Sequence, residues 1–152
     1  MKTDIQLPDA KGAKGEKVTQ RTQKEQPEME GDCSHDIIGA AVEVQRVLGV
    51  GLLESAYAAA FAIELTERGL RCARELPISG HYKGRDIGVL YRADFLVEDS
   101  VLVELKALDG VLDVHRAQLL SYLRLSGHKI GLLINFHSFP VVKGIHRVVN
   151  KL

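Results

Sequence analysis

The 152-residue chain has no tryptophan, four prolines and two cysteines. Cys33 and Cys72 cannot build a disulfide framework, and neither stands in a CxxC-type metal pair. A disulfide-stapled scaffold and a cysteine-based zinc site are thereby excluded, and a reducing, cytoplasmic setting is expected. No apolar run reaches the roughly 18 residues of a membrane span, so no membrane partner is expected. The N-terminus is too polar for a secretory signal. Charge of one sign is missing as well: 20 Lys and Arg face 20 Asp and Glu, a formal net charge of zero. No dense basic stripe advertises tight, stand-alone nucleic-acid binding, although a local basic patch stays open. What remains is an ordinary balance, 45% apolar and 26% charged, which fits a soluble domain with a sizeable core.

Residues 1–31 differ from the rest. Lys2, Lys11, Lys14, Lys17, Arg21 and Lys24 offset Asp4, Asp9, Glu16, Glu25, Glu28 and Glu30, and large apolar residues are few. Such a segment buries too little apolar surface to offset its ordering entropy. A disordered polar tail is expected there, with a folded domain over 32–152. Ser34 is a candidate N-cap. Ile37, Ala41, Val44 and Leu48 recur at helical spacing and predict a helix over 35–48. "GVG" at 49–51 breaks it, and a second helix runs from about 53 to 68, ending at Gly69.

The pattern then turns to strands. "LRCARELPI" reads as one. "GHYKGRDIG" reads as a turn with a short, poorly defined strand. "LYRADFLV" and "VLVELKAL" are two strands joined by "EDS". "DVHRAQLLSYLRLSG" is a helix ending at Gly127, "HKIGLLINF" a buried strand, and "VVKGIHRVV" one more at an edge. The order of helix, three or four strands, helix, strand predicts an α/β fold, a mixed sheet flanked by helices, with one right-handed parallel crossover.

Asp94, Glu104 and Lys106 stand inside two apolar strands, where unpaired charge is costly. Residues two apart share a face, so Glu104 and Lys106 point one way while Val103 and Leu105 point into the core. A three-residue loop, Glu98-Asp99-Ser100, pairs Val97 with Val101 and sets Asp94 opposite Glu104, with Cβ atoms about 4.5–5.5 Å apart. A two-residue loop places the two acids on opposite faces. If they converge, they repel unless a cation sits between them, and hard oxygen ligands suggest Mg2+ or Mn2+. The alternative is a surface salt-bridge ladder through Lys106.

Two helical clusters accompany the hairpin. In "GLLESAY", Gly51 permits a sharp turn, Glu54 falls in the first helical turn, and Tyr57 lies one turn on. Each has a plain alternative: a first-turn acid favoured by the helix dipole, and a core tyrosine. In "HRAQLLSY", His115, Gln118 and Tyr122 share one helix face, as a site-facing set or as a polar stripe facing solvent.

"GLLESAY" together with "YRADFLVEDSVLVELKA", "HRAQLLSYLRLSG" and "GLLINF" resembles the GxxExxY protein family over roughly residues 35–150. That family in turn resembles the PD-(D/E)XK nuclease superfamily. The resemblance implies a restriction-endonuclease-like core. It implies metal ligation by Asp94 and Glu104, with the Leu105 carbonyl a third ligand and Glu54 the helix acid that completes the site. Lys106 would be the motif lysine. Gln118 and Tyr122 match a Q-x-x-x-Y signature, with Gln118 touching the site and Tyr122 supporting it or meeting nucleic acid. Apart from the resemblance, His115 and Tyr57 are candidate supporting or nucleic-acid contacts, with a solvated histidine and a core tyrosine as the alternatives. Ala93 stands where the superfamily name has proline.

The function expected on these grounds is Mg2+- or Mn2+-dependent hydrolysis of phosphodiester bonds, in DNA ahead of RNA. Lys83, Arg85, Arg92 and Arg116 are the candidate phosphate-binding cations. The alternatives are a catalytically idle binding module for nucleic acid or protein that keeps the fold, and a metal-dependent hydrolase of another substrate. Oligomeric state is not written in the sequence.

Overall fold

The computed structural model describes residues 31–151; the expectation of a disordered tail falls, as far as Glu30, outside the described residues. Two helices come first, α1 (Ser34–Leu48) and α2 (Glu54–Glu67). Three strands follow, β1 (Cys72–Tyr82), β2 (Arg85–Val97) and β3 (Val101–Lys106). Then come α3 (Asp113–Ser126), β4 (Ile130–Asn135), a single 3-10 turn at Val141–Gly144, and β5 (Ile145–Val149). The sheet order is sequential, β1-β2-β3-β4-β5. Every neighbouring pair is antiparallel except β3 and β4. α3 joins that parallel pair, as an antiparallel hairpin loop could not.

The helices divide between two faces. Ile37, Ala40, Ala41 and Val44 of α1 and Tyr57, Phe61 and Leu65 of α2 pack on Phe95, Val97, Val103, Leu105, Leu132 and Ile134. On the other face, Leu119 and Leu123 of α3 pack on Ile78, Ala93, Leu96, Leu102 and Leu133. β3 is therefore covered on both sides, which explains its nearly continuous apolar run. Glu104 is the exception in that run, and it is only 4% exposed.

Two local expectations are corrected. Ser34 does not cap α1; it is the first helical residue and is buried. Cys33 occupies the N-cap position without a side-chain cap bond; Asp32 before it accepts from the Ser34 N–H through Oδ1 at 3.0 Å, while the Ser34 hydroxyl accepts from Arg147 at 3.2 Å. The second correction concerns "GHYKGRDIG". β1 continues through Tyr82 and β2 begins at Arg85, so only Lys83 and Gly84 connect them. Both have positive φ, 48° and 75°, the requirement of a two-residue type I′ hairpin turn. Residues 81–90 are exposed throughout. No buried face imposes an apolar alternation on them, so the ribbon leaves no periodic signal.

Candidate active site

β2 and β3 pair Val97 with Val101, Leu96 with Leu102 and Phe95 with Val103. This is the register of the three-residue loop. One step further the ladder changes character at Asp94 and Glu104. The Asp94 N–H donates to Glu104 Oε1 at 3.0 Å, and the Leu105 N–H donates to Asp94 Oδ2 at 2.8 Å. Side-chain carboxylates thus take hydrogen bonds that backbone carbonyls accept elsewhere in the sheet.

Both strands around Asp94 are kinked. Phe95 packs on the α1/α2 side while its neighbour but one, Ala93, packs on the α3 side, which strict alternation forbids. Across the ladder, Arg74 pairs with Phe95 and Leu76 with Ala93. Glu75 between them has φ of 51°, a conformation that non-glycine residues rarely hold. The kink opens Asp94 to a cleft of about 380 Å³ lined by Glu54, Ser55, Ala58, Arg74, Glu75, Asp94 and Phe95. Glu104 feels the nearby Tyr91 hydroxyl. The two acids therefore meet at a split in the sheet, rather than standing side by side on one flat face.

Electrostatics at the split are adverse to charge. Burial, and then the neighbouring Asp94, push Glu104 well above the usual carboxylate range, against the Tyr91 hydroxyl, the Asp94 N–H and Lys106. Burial also raises Asp94, opposed by the Leu105 N–H and Lys106. Glu54, the first residue of α2, is raised by burial and by the charge of Asp94, and lowered by Lys106. Lys106 is half-buried at the end of β3 and is felt by all three acids. Among the described residues it closes no ion pair; the salt bridges lie elsewhere. The salt-bridge ladder offered as the alternative reading does not form.

Adjacent carboxylates with a nearby third acid are hard oxygen donors that suit Mg2+ or Mn2+. Among the described residues no group of three or more His, Cys, Asp and Glu side chains is gathered closely enough to hold a metal ion. The donor set that fits is thus a pair with water completing the shell, an arrangement Mg2+ tolerates because it gives up its water reluctantly.

A family model described as the PD-(D/E)XK nuclease superfamily matches residues 31–148. The chain belongs to this superfamily. A search of curated proteins finds no match. Among solved structures, the crystal structure of SSO0001 is similar over 82% of this chain and 81% of that one, at 14% sequence identity and a TM-score of 0.45. The matched range contains Ala93-Asp94 and Glu104-Leu105-Lys106, the segments expected from the sequence to stand for the superfamily's name. Ala93 is 1% exposed and packs in the α3-side cluster.

The structure brings the other residues singled out in the sequence to different places. Tyr57 is fully buried and stacks on Phe136, ring centroids 4.7 Å apart. Its hydroxyl donates to the Gly49 carbonyl at 2.7 Å and accepts from the Leu52 N–H at 3.3 Å. It ties down the loop that delivers Glu54, where Gly51 takes a φ of 96°, and has no surface to offer nucleic acid. His115 Nδ1 accepts from the Leu112 N–H at 3.0 Å, closing the start of α3. Gln118 is exposed and makes no hydrogen bond among the described residues. Tyr122, one turn later, stacks on Tyr91 at 3.4 Å between centroids. Arg116 is engaged by Asp113 at 3.1 Å and His146 at 3.2 Å.

Sequence reasoning missed four contributors. Tyr91 lies an odd number of residues from Asp94, so alternation assigns it to the wrong side; it packs on the α3 side against Tyr122. Glu75 and Arg74 line the cleft from a strand with no visible motif, and the Arg74 guanidinium sits 5.3 Å from the centre of the Phe95 ring. Asn135 was readable only as part of an apolar strand. It is fully buried and clamps Leu108 both ways, its Nδ2 donating at 2.8 Å and its Oδ1 accepting at 3.0 Å. That clamp fixes the chain just beyond Lys106.

Proposed function

We propose that the chain is a nuclease of the GxxExxY type that hydrolyses phosphodiester bonds with Mg2+ or Mn2+, in DNA ahead of RNA. The observation that carries this reading is the half-buried Asp94 joined to the buried Glu104 at the split of the sheet, with Lys106 beside them and outside any ion pair among the described residues. A purely structural role gives no reason to set Glu104 there, because burial and the charge of Asp94 both raise the cost of ionising it. A bound cation reverses that cost.

Asp94 and Glu104 would hold the metal, with the Leu105 carbonyl as a third ligand and Glu54 facing it across the cleft. The metal would supply Lewis-acid polarisation of the phosphate and a lowered pKa for bound water. Lys106 brings positive charge to the developing phosphate charge or orients the attacking water. Arg74, stacked on Phe95 in the same cleft, is placed to meet a phosphate. Membership of a nuclease superfamily supports a nucleic-acid substrate. The basic ribbon tip at Lys83 and Arg85 supports contact with a phosphate backbone.

Plasmid, single-stranded DNA and RNA should be incubated side by side with Mg2+, with Mn2+ and with chelator. Metal-dependent cleavage that chelation abolishes, and that Asp94→Ala and Glu104→Ala each abolish, is the expected result. Nucleic-acid binding without cleavage would instead assign an idle binding module. Metal binding with neither cleavage nor nucleic-acid binding would assign a hydrolase of another substrate.

A further inference from the structure

Glu54 opens α2 at the end of a loop, residues 49–53, that has little core of its own. Val50, Leu52 and Leu53 are exposed, and Gly49 and Gly51 take positive φ, 71° and 96°. Polar anchors therefore decide where the loop sits. Both backbone polar groups of Leu52, two residues before Glu54, are held by side chains. Its N–H donates to the Tyr57 hydroxyl at 3.3 Å, and its carbonyl accepts from His137 Nε2 at 2.9 Å. A carbonyl oxygen can only accept, so Nε2 of His137 carries the proton.

His137 reaches this loop from a turn, residues 135–138, at the end of β4. Three groups pin that turn. The fully buried Asn135 accepts from the His137 N–H through Oδ1 at 3.3 Å and donates through Nδ2 to the Ser138 hydroxyl at 3.2 Å. Gln45 of α1 donates to the carbonyls of Phe136 at 2.9 Å and Ser138 at 2.6 Å. The Phe136 N–H donates to the Lys106 carbonyl at 2.9 Å, next to the pairing of Lys106 with Asn135 across β3 and β4. One turn thus grips the strand that carries Lys106 and, through a single histidine, the loop that delivers Glu54.

We propose that His137 is a positioning residue that holds Glu54 at a fixed place relative to Lys106. The inference rests on the metal-dependent nuclease reading above. His137 touches neither metal nor substrate in this role; it acts through Leu52 and Glu54. With Tyr57 alone the loop would hang from one hydroxyl. His137 adds a second point and stops it from pivoting. Preorganisation is the physical reason, since a displacement of about 1 Å at a site costs about 10²-fold in rate.

The test compares two variants by Mn2+-dependent cleavage of DNA and RNA, by Mn2+ titration, and by amide exchange of Leu52 in the metal-free protein. His137→Phe keeps a ring against Tyr57, whose centroid lies 6.1 Å from that of His137, and loses the N–H. His137→Gln keeps a donor and loses the ring. His137→Phe should lower kcat by about 10–100-fold, with Mn2+ affinity at the wild-type value because Asp94 and Glu104 carry it. Its Leu52 amide should exchange up to about tenfold faster, the effect of losing one ordinary hydrogen bond. His137→Gln should stay near the wild type in all three. In a Glu54→Gln background, His137→Phe should add little further loss, because residues that act through one group are not additive. A histidine that only stabilises the fold would cost the same in either background. If His137→Phe fails to fold, His137→Ala takes its place. Wild-type kcat in His137→Phe, its full loss repeated in the Glu54→Gln background, or a His137→Gln as impaired as His137→Phe overturns the positioning role while the nuclease reading stands. A wild type that cleaves neither DNA nor RNA with Mn2+ overturns both.

Discussion

Glu104 is a carboxyl group set among Val101, Leu102, Val103 and Leu105, all fully buried. Its raised pKa means that the metal-free native state holds a proton which the unfolded chain has released. Between the ordinary value near 4.5 and the raised one, the native state binds more protons than the unfolded state, so stability falls as pH rises. Glu104→Gln removes this dependence. Without metal, the variant should melt above the wild type at neutral pH, and the gap should close below about pH 4, where the wild-type acid is protonated in both states. Thermal unfolding across this range checks it; a wild type that gains stability over the Gln variant as pH rises would contradict the assigned sign. Lys106 makes a separate prediction. It closes no ion pair among the described residues, so Lys106→Ala should leave Mn2+ binding largely intact. If it contacts charge only in the transition state, cleavage should slow by about 10²–10³, roughly 2.7–4 kcal/mol. A variant that loses Mn2+ binding instead would make Lys106 a structural counter-charge.

At the scale of elements, the GxxExxY segment is a helix start held by its own tyrosine. The Tyr57 hydroxyl bridges Gly49 and Leu52, and the loop between them leads into Glu54. Tyr57→Phe should cost about 1 kcal/mol, the net worth of a typical hydrogen bond, and lower cleavage through Glu54 without weakening metal binding by Asp94 and Glu104. Calorimetric metal titration beside a denaturation curve separates the two effects. Tyr57 also marks the boundary of what could be read beforehand. Its burial was visible in helical spacing; its bonds to a loop five and eight residues earlier were not. The hairpin register was readable because core packing of Val103 and Leu105 left only two loop lengths to choose between. Alternation then failed at Glu75 and Asp94, where the backbone kinks, and with it went Tyr91, Arg74 and the cleft. Gln118 and His115 matched a helical face, yet spacing says only which residues share a stripe, not what that stripe meets.

Across the whole molecule, two apolar layers enclose the sheet and leave its centre open where β2 and β3 part. The fold was legible because each layer has its own periodic signature, α1 and α2 on one side and α3 on the other. The β1–β2 ribbon was not, because an arm exposed at residues 81–90 answers to no core. At about 3.3 Å per residue, Arg85 stands on the order of 30 Å along β2 from Asp94. Lys83, over the Tyr82 ring at 5.5 Å, and Arg85 close no ion pair among the described residues, while Asp86 is occupied in the ribbon, its Oδ1 accepting from the Gly88 N–H at 2.6 Å. With zero net charge overall, these local cations carry unusual weight in any attraction to phosphate. Combined Lys83→Glu and Arg85→Glu should weaken nucleic-acid binding across all sequences. The slope of log affinity against log salt should fall by about one for each phosphate that is no longer neutralised. Metal binding and the unfolding midpoint should stay at wild-type values, since the ribbon tip touches neither core cluster. An unchanged slope would place the substrate path away from the ribbon and leave phosphate binding to Arg74 in the cleft and to Lys106.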